Sequence, residues 1–281
     1  RLCSSAASDV YKRQPPTQST VDWDALGPSW ASTPQLLASA LPFAITLGIL
    51  PYVVRIEKFM VAASGGAELG AVFHVAQLSW LAGLVVPAAV RSALLPVLGD
   101  ARFKPLKHRR ELNNAVDMCF GLLPYGLFGG HLVVTLFAPM AFPADYLDGT
   151  YGASAIDVFT VLLAGWGLTL LATPTYTALM AGDRPWRFTL FIALVLLAAG
   201  MLGAVLVLNG PSDPGQKLYA GAVASSLSAA VLLGLSWWMS GEFPTIVARR
   251  DEWALVMVCT LFVVVGLVSN TLWWVMGLPL F

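Results

Sequence analysis

Two apolar runs, 35–63 and 68–98, joined by the small turn Ser64-Gly65-Gly66-Ala67, constrain this chain more than any other feature. An apolar helix of about 20 residues spans a hydrocarbon core of about 30 Å, and each run is longer than that. The pair predicts a membrane hairpin. Neither arm is purely apolar. The first carries Arg55, Glu57 and Lys58 near its far end, and the second carries Arg91. Charge at membrane depth is expensive and usually faces a water-filled cavity.

Composition extends that reading to the whole chain. Of 281 residues, 57% are hydrophobic and 11% are charged. A soluble domain has about 25% charged residues. The mean hydropathy is +0.73 and there are ten tryptophans. The expected fold class is all-α, a polytopic membrane helix bundle. A transmembrane β-barrel would show alternating segments of about 10 residues, and the sequence has none. The formal net charge is zero, so no nucleic-acid partner is expected. Cys3, Cys119 and Cys259 are far apart and lack metal-ligand spacing. No cofactor is expected.

Residues 1–14, RLCSSAASDVYKRQ, are polar and lack the apolar core of a signal peptide. The string resembles translated sequencing-adapter read-through, so it is expected to be a non-native tail. Residues 15–34, rich in Pro, Ser and Thr, read as a linker. A transmembrane bundle over 35–281 follows, with about seven spans expected at 35–63, 68–98, 114–138, 155–181, 187–208, 217–240 and 253–276.

The connections between these spans differ in charge. One alternate set holds Arg102, Lys104, Lys107, Arg109 and Arg110, then Arg184 and Arg187, then Arg249 and Arg250. The opposite set holds only Lys217. Cytoplasmic connections are enriched in Lys and Arg, so the basic set is expected inside and residues 139–154 outside. The expected location is the cell (inner) membrane.

The intramembrane charges are the candidate site. If the first helix runs on to 63, Arg55, Glu57 and Lys58 lie within the span, with Pro42 and Pro51 as bend points. If it stops near 54, they snorkel at the outer interface. Arg91 lies about 12 Å from the cytoplasmic end of its helix, where it snorkels or lines an inward-open cavity. His74 and His131 read as hydrogen-bonded packing residues or, for His74, an ion-coupling group. Asp157 reads as a charge at a helix N-terminus. Neither a nucleophile–base arrangement nor a phosphate-binding loop motif is present, so no enzyme is expected.

The leading hairpin resembles that of the polysaccharide-biosynthesis flippases, in the multidrug/oligosaccharidyl-lipid/polysaccharide exporter superfamily. The matching pieces are Leu41-Pro42, Arg55-Ile56-Glu57-Lys58-Phe59-Met60, Gly65-Gly66 and Leu69-Gly70-Ala71-Val72-Phe73-His74-Val75-Ala76. Leu94-Leu95-Pro96 and Leu179-Met180-Ala181-Gly182-Asp183-Arg184-Pro185 complete the set. Glu57 stands where the family usually has Asp, and Phe73 where it has Tyr. The resemblance implies a transporter of two helical halves, of which this chain is about one, truncated at its N-terminal side. It implies that a polyprenyl-diphosphate-linked oligosaccharide is flipped from the cytoplasmic to the outer leaflet by alternating access. The partners would be that lipid-linked glycan, membrane lipids and the missing half. Arg55, Lys58 and Arg91 would bind the diphosphate, and Glu57 and His74 would serve ion coupling. A drug/cation antiporter of the same superfamily and a non-transporting membrane subunit are the alternatives.

Overall fold

The computed structural model describes residues 33–53, 55–182 and 184–241, with Leu261. The expected tail 1–14, most of the linker 15–34 and, apart from Leu261, the expected span 253–276 lie outside the described residues. The chain divides into two compact units, 1–41 and 42–281, and the contacts below belong to the second.

The described residues form helices α1 (Thr33–Val53), α2 (Ile56–Gly83), α3 (Val85–Ala101), α4 (Pro105–Ala141), α5 (Ala155–Ala181), α6 (Pro185–Gly203) and α7 (Pro214–Ser240). A 3₁₀ turn (Ala144–Tyr146) precedes α5, and a π-helical turn (Ala204–Leu208) extends α6. There is no strand among the described residues.

The described residues reach five of the seven expected spans. Among the described residues, five segments are long and apolar enough to cross a membrane: Ile56–Ala101, Pro105–Ala141, Ala155–Ala181, Pro185–Leu208 and Pro214–Ser240. The first expected span is not one helix. It breaks after Val53, and its apolar part Ala40–Val53 is short. Pro51 lies inside α1, two residues before the break, and its missing N–H and ring act on the turn before it, not on the residues after it. Arg55 leaves the helical region at φ −131°, ψ −7°, and its N–H bonds the Tyr52 carbonyl at 3.1 Å.

Segment Ile56–Ala101 doubles back on itself at Gly66. There φ is 88° and ψ 173°, a combination that a side chain would oppose. Lys58 Nζ comes within 3.5 Å of His74 Nδ1, sixteen residues on. A straight helix would separate them by about 24 Å. A Cβ on Gly70 would meet the Ala62 Cβ at 2.7 Å, so the two arms pack closely. The hairpin expected at the Gly-Gly turn is therefore present, with a break at Arg55 in its first arm.

The remaining helix starts follow local chemistry. Pro105, Pro185 and Pro214 each occupy a first turn, where the missing N–H costs nothing. This places α4 earlier than the expected 114–138 and draws much of the basic connection into its first turns. Ser154 caps α5, accepting from Asp157 N–H at 3.1 Å and donating to Asp157 Oδ2 at 2.8 Å. Helix α5 coincides with the expected 155–181 and is the hub. Trp166 Nε1 donates to Gly83 O at 2.8 Å, Leu163 meets Gly130 on α4, and Gly165 meets Ser226 on α7.

Connections sort to two ends. Lys217 Nζ donates to Ser64 O at 2.7 Å, and Gly152 meets Gly215 backbone to backbone. The turn 64–67 and the connections 139–154 and 209–216 thus share one end. Beside them Asp148 accepts from the Thr150 hydroxyl at 2.6 Å and its N–H at 2.9 Å, which holds the carboxyl below its ordinary range. The basic connections after α3 and α5 share the other end, where Arg102, His108, Arg184 and Arg187 line one cavity with Ser240. Outward helix faces are apolar. On α6 and its π-helical extension, Leu190, Leu197, Met201 and Val205 are 54–62% exposed, while Ile192, Val195 and Ala199 are buried. Such a stripe suits lipid, not water.

Candidate functional site

The break at Arg55 sets the site's depth. After it the chain resumes as helix, packing Ile56 against Gly200 and Met60 against Gly203, and reaches the turn at Gly66. Arg55 lies nine residues before Ser64, about 13 Å below the turn at 1.5 Å per residue. Arg55, Glu57 and Lys58 therefore lie within the span. The helix does end near 54, but the chain resumes as helix at Ile56, so these charges stand about 13 Å along the axis from the turn rather than beside it.

Helical geometry then separates the three charges. Arg55 is exposed and lies within electrostatic range of His74. Lys58 is half-buried, with its ammonium 3.5 Å from His74 Nδ1 and 5.5 Å from the Phe59 ring centroid. An ammonium only donates, so this contact requires Nδ1 to accept and places any ring proton on Nε2. Glu57 points the other way. It is 1% exposed and accepts from Ser228 Oγ on α7 at 3.2 Å. Ser228 shares its single proton with Ala224 O at 2.8 Å. It lies about 21 Å along α7, near the middle of that helix. A buried carboxyl therefore sits at mid-depth on one side of the helix, with two cations and an imidazole on the other.

Arg91 does not join this group. It lies seventeen residues beyond His74 on the same arm, about 25 Å further along the helix. It is half-buried, and its guanidinium reaches the Tyr176 hydroxyl on α5. One diphosphate cannot touch Arg55, Lys58 and Arg91 together. His131 bonds Thr160 Oγ1 on α5 at 3.2 Å and serves packing, as expected. No group of three His, Cys, Asp or Glu suited to a metal occurs among the described residues.

Two partners escaped the sequence reading. Ser228 is one of the cluster Ser225-Ser226-Leu227-Ser228, and three hydroxyls in mid-helix were the available signal. Tyr176 left no such signal, because an aromatic in an apolar helix reads as packing.

Five segments able to cross a bilayer, lipid-suited outer faces and a charged cluster at mid-depth fit a multi-pass α-helical membrane protein. Comparison of the chain with protein-family models, with curated proteins and with solved structures finds no match.

Proposed function

We propose that this chain is about one half of a membrane transporter that flips a polyprenyl-diphosphate-linked oligosaccharide from the cytoplasmic to the outer leaflet by alternating access. The observation that carries the reading is the interrupted helix at Arg55. In transporters, substrate sites lie near the bilayer midplane at discontinuous helices. Beside the interruption, the turn at Gly66 brings His74 to Lys58, and Arg55 lies within electrostatic range of the same ring. Cations in a low-dielectric site bind phosphate oxygens strongly, and a guanidinium does so with a bidentate fork. Arg55 and Lys58 are the diphosphate ligands. Arg91, about 25 Å away toward the basic end, meets the head group at another stage of the cycle.

One observation favours a second reading. Glu57 is a buried acid with a hydroxyl donor, the kind of group that an antiporter uses for a proton or an organic cation. In the flippase reading Glu57, with His74 beside Lys58, serves ion coupling.

The test is retention of a labelled polyprenyl diphosphate by the chain reconstituted in phosphatidylcholine nanodiscs. Arg55→Ala is expected to lower retention by about tenfold, the loss of one charge-assisted contact. Arg55→Lys is expected to restore part of it, because the charge returns without the fork. Unchanged retention in Arg55→Ala contradicts the reading. Organic-cation binding lost in Glu57→Gln, with no lipid retention in the parent chain, establishes the second.

A further inference from the structure

An apolar groove of about 510 Å³ runs between the second arm of the hairpin and α4, and neither reading above uses it. Its floor is α5, through Phe159, Leu163 and Trp166. Glycines on α4 shape it. Gly126 and Gly130 admit Trp166 and Leu163 where a Cβ would crowd them, so α4 and α5 pack closely. Gly129, between them, has nothing within 4 Å of a Cβ and lines the open groove. The one hydroxyl on the hairpin wall, Ser79 Oγ, donates to Val75 O at 3.4 Å.

The groove is long and narrow. Its wall on α4 repeats at every fourth position, through Tyr125, Gly129, Val133, Phe137 and Ala141, so it follows that helix for about 24 Å. A volume of 510 Å³ over that length leaves a cross-section of about 20 Å². That is the width of one hydrocarbon chain, whose carbons pack about 4 Å from their neighbours. An extended carbon chain advances about 1.2 Å per bond, so the groove holds about 20 carbons, the length of an acyl chain. A polyprenyl chain is longer and carries methyl branches, which suit a wider slot.

The mouth selects the head group. The groove opens at Ala141 and Phe142, where α4 ends and the connection 139–154 leads away. That connection carries Asp145 and Asp148, both exposed, and no Lys or Arg. Lys217, at the same end, donates to Ser64 O at 2.7 Å. Carboxylates at the mouth attract a protonated amine and repel an anionic head group.

We propose that this groove is a binding site for one acyl chain of a phospholipid with an ammonium head group, phosphatidylethanolamine being the type. The head sits at the mouth beside Asp145 and Asp148, and the chain passes Gly129 toward Tyr125. This inference is independent of the transport reading, since it uses neither Arg55 nor a diphosphate.

The test uses the whole chain in phosphatidylcholine nanodiscs doped with a photoreactive lipid, and reads covalent labelling of α4. Three probes are compared: phosphatidylethanolamine and phosphatidylglycerol with the same diazirine-bearing acyl chain, and a diazirine-bearing polyprenyl phosphate. Gly129→Leu fills the groove and is expected to lower labelling by phosphatidylethanolamine about tenfold, through loss of about ten carbon–carbon contacts. Gly121→Leu, on the same helix and also with open space at its Cβ but outside the groove, is expected to change it by less than about twofold. Val133→Phe, at a position 53% exposed, is a second way to fill the groove and is expected to act like Gly129→Leu. In the parent chain phosphatidylethanolamine is expected to label about fivefold more than phosphatidylglycerol, and Asp145→Asn with Asp148→Asn to remove that preference. Equal labelling in the filled variants and Gly121→Leu means that lipid only wets the surface, and overturns the site. Equal or stronger labelling by phosphatidylglycerol or by the polyprenyl phosphate overturns the assigned occupant. Helical content measured on each variant establishes that it is folded.

Discussion

The mid-depth cluster and the basic end are both rich in cations, yet they differ in what surrounds them. At the basic end the charges sit at helix starts, mostly exposed, with an apolar fringe beside them. At mid-depth Arg55 and Lys58 sit where a helix is interrupted, and an acid is buried behind them against α7. The first arrangement is inexpensive, because water and head groups solvate the charge. The second persists only if water or a ligand reaches it. Similar residue types therefore carry different information, and depth relative to the helix ends decides which.

Charge reversal separates the two regions most sharply. Glu57→Lys loses the Ser228 bond and buries a cation in place of an acid. It is expected to destabilise the protein by about 3–5 kcal/mol, seen as early loss of folded protein on heating in detergent. Asp100→Lys, at an exposed site near the basic end, is expected to stay within about 0.5 kcal/mol. Equal tolerance of both reversals means that Glu57 is solvated and the contrast is lost. A smaller perturbation tests the assignment of ends. In a cysteine-free background, Asp148→Cys is expected to react with an impermeant thiol reagent added outside, and Lys107→Cys to be spared. The reverse pattern inverts the orientation.

What the sequence disclosed follows from these physical differences. The hairpin was legible because Gly65-Gly66 interrupts two long apolar runs and only glycine suits the backbone at Gly66. The separation of basic and non-basic connections was legible because charge near helix ends is counted, not packed. The break at Arg55 was half legible: Pro51 marked a bend, but whether the helix resumed depended on Ile56 and Met60 finding Gly200 and Gly203 on α6. Burial was not legible. A lipid-facing leucine and a core leucine are chemically alike, so Leu197 and Leu170 read identically in sequence, although one is 60% exposed and the other is fully buried. The spacing of Arg55, Lys58 and Arg91 has a related cause. Sequence places all three on one hairpin, while helical rise sets Arg91 about 25 Å from His74.

If the mid-depth cations form a working site, water reaches them through the interrupted helix. Accessibility of a cysteine at that position measures it directly. With native cysteines replaced and the chain in lipid vesicles, Arg55→Cys is expected to react with a charged, membrane-impermeant thiol reagent. Leu197→Cys, on the lipid-facing stripe of α6, is expected to remain unreacted under the same conditions. If Arg55→Cys is as inert as Leu197→Cys, the position faces lipid and no aqueous site exists at the break.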